Sequence, residues 1–212
     1  MNKKAIELPI SMIVVLILSI MMFTFGTVMI FKFFKGATEA SQQIDKATQN
    51  QINAILREGN ELVALPKILA TARIGQDATF ALGIRNIYTS REFVVVIGHA
   101  GAYYLDDTKI IEADTTTMEY EWLKGFKKQE NIQIQQNKFV TLPLRIRIGD
   151  YMGPNSKTQK GLYVFNACVF DIAPGEPRPQ EFNCDTSSPS AVQSTIHSTY
   201  DNKIRQVTIR VV

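Results

Sequence analysis

Histidine, cysteine and tryptophan are nearly missing from this sequence: its 212 residues hold two histidines, two cysteines and a single tryptophan. With His99 and His197 far apart along the chain, a four-ligand centre of nitrogen and sulfur donors has little to draw on. A Gly-x-Ser-x-Gly elbow, a Walker loop, a His-Glu-x-x-His pair and a Cys-x-x-Cys pair are all lacking, so the common nucleophilic, nucleotide-binding and zinc chemistries have no foothold. No Asn-x-Ser/Thr triplet occurs, which excludes the usual N-glycan acceptor. Asp106, Asp107 and Asp114 lack the spacing and closing glutamate of a calcium loop and read as turn residues. The expectation is a chain without catalytic residues, cofactor or metal.

An excess of one charge is missing too. Twenty-three basic against 20 acidic residues leave +3, and the basic ones gather only in small groups: Lys3/Lys4, Lys32/Lys35, Lys124/Lys127/Lys128 and Arg145/Arg147. A nucleic-acid footprint needs a denser basic stripe, so no nucleic-acid partner is expected. Charge vanishes altogether between residues 8 and 31. That run exceeds the roughly 20 residues a helix needs to cross a hydrocarbon core, and its apolar side chains fall on every face of a helical wheel. A removed signal peptide would have an apolar region of about 7 to 15 residues and a small-residue cleavage site, whereas Phe31-Lys-Phe-Phe-Lys35 follows here.

The sequence therefore predicts a long N-terminal hydrophobic α-helix over residues 8–35, transmembrane or filament-core, behind a short basic leader or cytoplasmic flank at 1–7. Residues 36–66 read as an amphipathic helix and linker. Ala37, Ala40, Ile44 and Ala47 recur at helical spacing, Ile52, Ile55 and Leu56 continue the stripe, Gly36 offers a kink, and Gly59 and Pro66 mark the stop. The basic residues flanking the apolar run are nearly balanced, so orientation rests on the strands and cysteines that follow, which favour a cytoplasmic N-terminus.

Residues 67–212 read as an all-β ectodomain, a sandwich with no helix of its own. Phe80, Leu82 and Ile84 alternate with smaller or polar neighbours, and Phe93 begins a continuous apolar run to Ile97. Val140, Leu142, Leu144, Ile146 and Ile148 form the clearest half-buried strand, with Pro143 on its polar parity suggesting an edge or bulge. Residues 162–170 are apolar on both parities, as in a central strand, and Val207, Ile209 and Val211 close the chain. Two polar stretches, 106–129 and 173–202, are the places to look for a contact surface. Cys168 and Cys184 would close a loop of about 15 residues, worth about 3 kcal/mol if bridged. A disulfide is preferred over two buried thiols and points to an oxidising compartment.

Lys3-Lys4-Ala5 followed by Ile6-Glu7-Leu8-Pro9 and the apolar run resembles the N-terminus of type IV pilins and archaellins. The resemblance implies a leader ending at Ala5, with Lys3 and Lys4 as its basic residues, clipped by a dedicated peptidase. It also implies that Glu7 is the glutamate that pairs with a neighbouring subunit's new amino terminus, although cleavage after Ala5 leaves Glu7 second in the mature chain and not fifth. An all-β head implies an archaeal source. Within the head, Lys160-Gly-Leu-Tyr163 and the residues up to Asp171 resemble the sixth strand of immunoglobulin-like domains, which makes Tyr163 a corner tyrosine. Cys184 lies in the following loop, unlike the partner in that family's inter-sheet pair. The function implied is a non-enzymatic, pilin-like structural subunit of an archaeal surface filament, self-assembling through its N-terminal helices. The alternative is a single-span, membrane-anchored Ig-like surface or accessory protein of a secretion or pilus complex. Either reading places the chain in a cell membrane, with the lipid bilayer as a partner and its C-terminal domain outside, or in an extracellular filament.

Overall fold

Side chains that alternate between apolar and polar can bury one face of a strand, and this pattern lays out most of the chain. The computed structural model describes Met12 and residues 14–24, 46–179, 182, 184 and 199–212. The chain divides into two compact units, Met1–Gln43 and Ile44–Val212.

In the first unit Met12 and residues 14–24 are helical, the latter stretch forming α1. The hydroxyls of Ser19 and Thr24 donate to the carbonyls of Val15 at 2.8 Å and Ile20 at 2.9 Å, keeping both donors inside the helix. At about 1.5 Å per residue α1 is about 16 Å long, roughly half of a bilayer's hydrocarbon thickness. No helix among the described residues is long and apolar enough to cross a membrane. This corrects the expectation of a long N-terminal hydrophobic helix over 8–35, and with it the transmembrane span and the single-pass location in a cell membrane. Apolar composition persuades for 24 residues in sequence, but regular helix is described for only 11 of them in one run.

The second unit holds α2 (Lys46–Glu58), β1 (Val63–Ala64), β2 (Leu69–Ala72), β3 (Asp77–Arg85), β4 (Arg91–Tyr103) and α3 (Thr115–Trp122). After these come β5 (Lys128–Ile134), β6 (Phe139–Arg147), β7 (Tyr151–Gly153), β8 (Ser156–Lys157), β9 (Gly161–Ile172) and β10 (Arg205–Val211). Thus α2 and β1, upstream of residue 67, belong with the strands. One sheet has the order β1-β3-β6 and a second the order β2-β10-β9-β4-β5, while β7 and β8 form a hairpin. The chain changes sheets between β1, antiparallel to β3, and β2, parallel to β10. Every other pairing is antiparallel.

Between the two larger sheets lies the main core: Phe80, Leu82, Ile84, Leu144 and Ile146 from one, and Phe93, Val95, Ile97, Phe165, Val207 and Ile209 from the other. Both outer faces are also covered, for different reasons. On the three-stranded sheet, the i, i+4 pair Ile52 and Leu56 of α2 is fully buried against Ala64 and Ala81, with Ile55 and Phe139 at the margin. Arg85 Nη1 donates to the Leu56 carbonyl at 2.8 Å, satisfying one of the helix's terminal acceptors. Asn60, in the left-handed region at φ 53°, ends the helix just beyond. On the five-stranded sheet, Val94, Val96, Phe170 and Ile172 are closed over by Cys184 and Phe182.

The continuous apolar run in β4 follows from this double coverage, since both of its faces are buried. β6, with Pro143, is an edge strand, where a missing N–H breaks no ladder. At the start of β9 the Tyr163 hydroxyl donates to the Gln159 carbonyl at 2.8 Å and accepts the Gln159 N–H at 3.2 Å, the local geometry of a corner tyrosine. Tyr163→Phe removes both bonds while water can reach the exposed Gln159, so the expected cost in urea denaturation is the net worth of the hydrogen bonding, about 1 kcal/mol. A change of less than 0.3 kcal/mol, on the order of a surface substitution, would remove the corner role.

The helix α3 contradicts the expectation of a head without helices. Its three leading threonines are poor helix formers, so the segment reads as irregular. Asp114 caps it by accepting the Thr117 N–H at 2.8 Å, and Met118 and Trp122, four residues apart, bury its inner face.

Candidate functional site

β4 outruns its neighbour β5, whose last paired residue Lys128 faces Val96, so β4 beyond that point needs another partner. That partner is α3. The Glu119 carboxylate accepts the His99 main-chain N–H at 3.2 Å and pairs with Lys127 Nζ at 2.6 Å. His99 Nδ1 lies 3.3 Å from Thr115 Oγ1, its ring meets Phe165 edge-on at 5.6 Å, and its Nε2 is buried without a hydrogen-bond partner among the described residues. Burial holds the imidazole below its ordinary pKa, against the opposing pull of the Gly101 main chain, Glu119 and Asp114.

Beside this group an open cavity of about 540 Å³ is lined by Thr116, Glu119, Tyr120, Leu123, Lys124 and Lys127. Its walls bring one carboxylate and two ammonium groups near an exposed tyrosine. One of those ammoniums is already committed to the carboxylate. Glu119 therefore acts as the cap of a strand edge, and no nucleophile with an adjacent base is assembled here.

Of the remaining acidic candidates, Asp107 sits in a turn at φ 64°, and Asp106 and Asp114 are engaged locally. Asp106 accepts the Thr108 hydroxyl at 2.5 Å and the Thr108 N–H at 3.0 Å, hydrogen bonds that lower its pKa, the hydroxyl's the most. Asp114 is lowered mainly by the Thr117 N–H it caps, then by the Thr117 hydroxyl. Among the described residues no group of three or more histidine, cysteine or acidic side chains is placed to hold a metal ion.

Cys168 and Cys184 are joined by a disulfide, with their Cα atoms 5.7 Å apart. Both are buried, and Phe182 beside them stacks at a tilt on Phe170 at 5.3 Å while Lys128 Nζ lies 5.0 Å over its ring. The bridge thus fastens the covering segment to the middle of the five-stranded sheet. Lys3, Lys4, Ala5 and Glu7 lie outside the described residues, as do Pro9, the Gly36 position, the Ala37 to Ile44 part of the stripe and His197.

Among the described residues, the longest run of exposed apolar side chains is α1. Every one of its residues is exposed, its large apolar side chains from Ile17 at 46% to Met22 at 79%, and no charge interrupts it. Sequence reasoning could name this segment; it missed Glu119, Lys127 and α3, for which the one local signal was the Asp114 cap.

No protein-family model matches the chain, and no curated protein matches it. Among solved structures it has a distant similarity to a family 123 glycoside hydrolase from Clostridium perfringens, at TM-score 0.35 and 10% identity over 68% of this chain. It is similarly distant from the class 5 fimbriae chaperone CfaA, at TM-score 0.33 and 8% identity over 70% of this chain. The matches span 22% of the hydrolase and 55% of the chaperone. Likeness this weak carries no functional argument for the chain.

Proposed function

We propose that this chain is a pilin-like structural subunit of a surface filament, in which the apolar N-terminal segment is covered by the same segment of other copies. The observation that carries the proposal is α1: eleven helical residues, nine of them apolar and all of them exposed. A helix of this kind is unstable in water and needs apolar neighbours on every side, which a bundle of identical helices supplies. The resemblance of residues 3–9 to pilins and archaellins supports it. So does a head with its two outer sheet faces closed and a disulfide suited to an oxidising compartment. The role is structural, not enzymatic.

Electron microscopy of the purified protein and of cells expressing it tests this. Filaments are expected from the unaltered chain. Leu18→Glu places an uncompensated charge inside the bundle and is expected to abolish them, while the near-ultraviolet circular dichroism of the head stays unchanged. A monodisperse monomer from the unaltered chain, or filaments that survive Leu18→Glu, would refute the proposal.

A further inference from the structure

Sheet edges offer unpaired main-chain groups, and proteins usually guard them with charge, proline, bulges or covering segments. Among the described residues the two larger sheets have four edges, β1, β6, β5 and β2, and three of them are guarded. β5 carries Lys128 and Glu130, and its register breaks opposite Phe93 and Val95, with Asn131 in the left-handed region at φ 59°. β6 carries Pro143. β1, the other edge of the three-stranded sheet, is only two residues long.

β2 has none of these devices. Its residues, Leu-Ala-Thr-Ala, are uncharged and free of proline and bulge. The Ile68 and Ala72 carbonyls accept from Thr208 and Val212, so the even-numbered main chain faces β10. In a parallel ladder the intervening residues must then turn their N–H and C=O away, which leaves Leu69 and Thr71 presenting four groups to the outside. No strand lies beyond them among the described residues. Ile68 is 61% exposed, Leu69 49% and Ile74 45%, so apolar side chains rim the same edge. Around it stand Lys67, Arg73 and Arg210, all exposed and in no ion pair among the described residues.

We propose that β2 accepts an extended strand from a partner protein, one whose carboxylates flank an uncharged, alternately apolar stretch. Main-chain pairing to Leu69 and Thr71 supplies the affinity, and the three cations select the flanks. A second copy fits poorly. Antiparallel self-pairing about Ala70 sets Lys67 of one copy opposite Arg73 of the other, and parallel self-pairing in register sets each cation beside its own kind. The inference rests on the sheet edge and is independent of filament formation.

The test uses the full-length ¹⁵N-labelled chain, dispersed in mild detergent, and two synthetic peptides. One is Asp-Val-Thr-Val-Thr-Val-Asp; in the other lysine replaces each aspartate. The acidic peptide is expected to shift the Leu69 and Thr71 amide signals and to bind about tenfold more tightly than the basic one. Reversing Lys67 and Arg73 to glutamate should invert that preference, a readout that does not depend on a backbone change. Thr71→Pro, which removes an outward N–H, should abolish binding of both. Silence of the Leu69 and Thr71 signals, equal binding of the two peptides, or the same shifts produced by concentration alone would each overturn the proposal, the last by making a second copy the occupant.

Discussion

Replacing Cys168 and Cys184 together by alanine is expected to lower the unfolding free energy by about 3 kcal/mol. The cysteines stand 16 residues apart, and opening a loop of that length returns conformational freedom to the unfolded chain. Folded-state packing suffers as well, because the bridge holds Cys184 and Phe182 over Val94, Val96 and Phe170. Both sulfurs are buried, so a single substitution would leave a buried thiol, and the double variant is the cleaner comparison. Urea denaturation should show a lower midpoint with a nearly unchanged slope, and reduction of the unaltered protein should reproduce it. Binding of a hydrophobic dye should rise as the outer face of β4 and β9 is uncovered. A loss below about 1 kcal/mol with no added dye binding would mean that the segment covers the sheet without the bridge, and that the disulfide is incidental to the fold.

What could be read from the sequence follows from how local each signal is. β3, β6, β9 and β10 coincide with alternating or doubly apolar runs, because a strand's side chains report the burial of each face directly. β4 reads as a continuous run because its outer side is covered by residues almost a hundred positions later, around Cys184. The cover itself leaves no local trace beyond the cysteines and Phe182. α3 escaped notice since only Met118 and Trp122 of its eight residues are buried, and Thr115, Thr116 and Thr117 speak against a helix. Glu119 as the cap of His99 depends on β4 outrunning β5, a fact of strand pairing that neither segment carries alone. At the N-terminus composition and conformation part company. Absence of charge over residues 8–31 is certain from the sequence, but it measures apolar length and not helix length, and the spanning helix inferred from it is the largest correction.

The stripe in α2 illustrates the same limit and yields the second expectation. Ile52 and Leu56 would suit contact with another copy or with the chain's own sheet, and helical periodicity cannot choose between them. The deciding residue is Gly83 in β3. A Cβ built there would lie 2.3 Å from Ile52 Cγ2 and 2.9 Å from Leu56 Cδ1, so the glycine is the floor on which the helix sits. In an ordinary strand Gly→Ala stabilises by about 0.5 to 1 kcal/mol, because glycine loses the most chain entropy on folding. Here the sign should reverse. Ile52 is stiff at its branched Cβ and fully buried, so Gly83→Ala must push α2 outward, at a cost of about 2 kcal/mol. Ile52→Ala alone should cost about 3 kcal/mol through the cavity it leaves. Added to Gly83→Ala it should cost at least 1 kcal/mol less than that, roughly the coupling expected of two side chains competing for one space. A stabilising Gly83→Ala, or strict additivity of the pair, would show that α2 does not rest on β3 in solution and would free its apolar stripe for another copy.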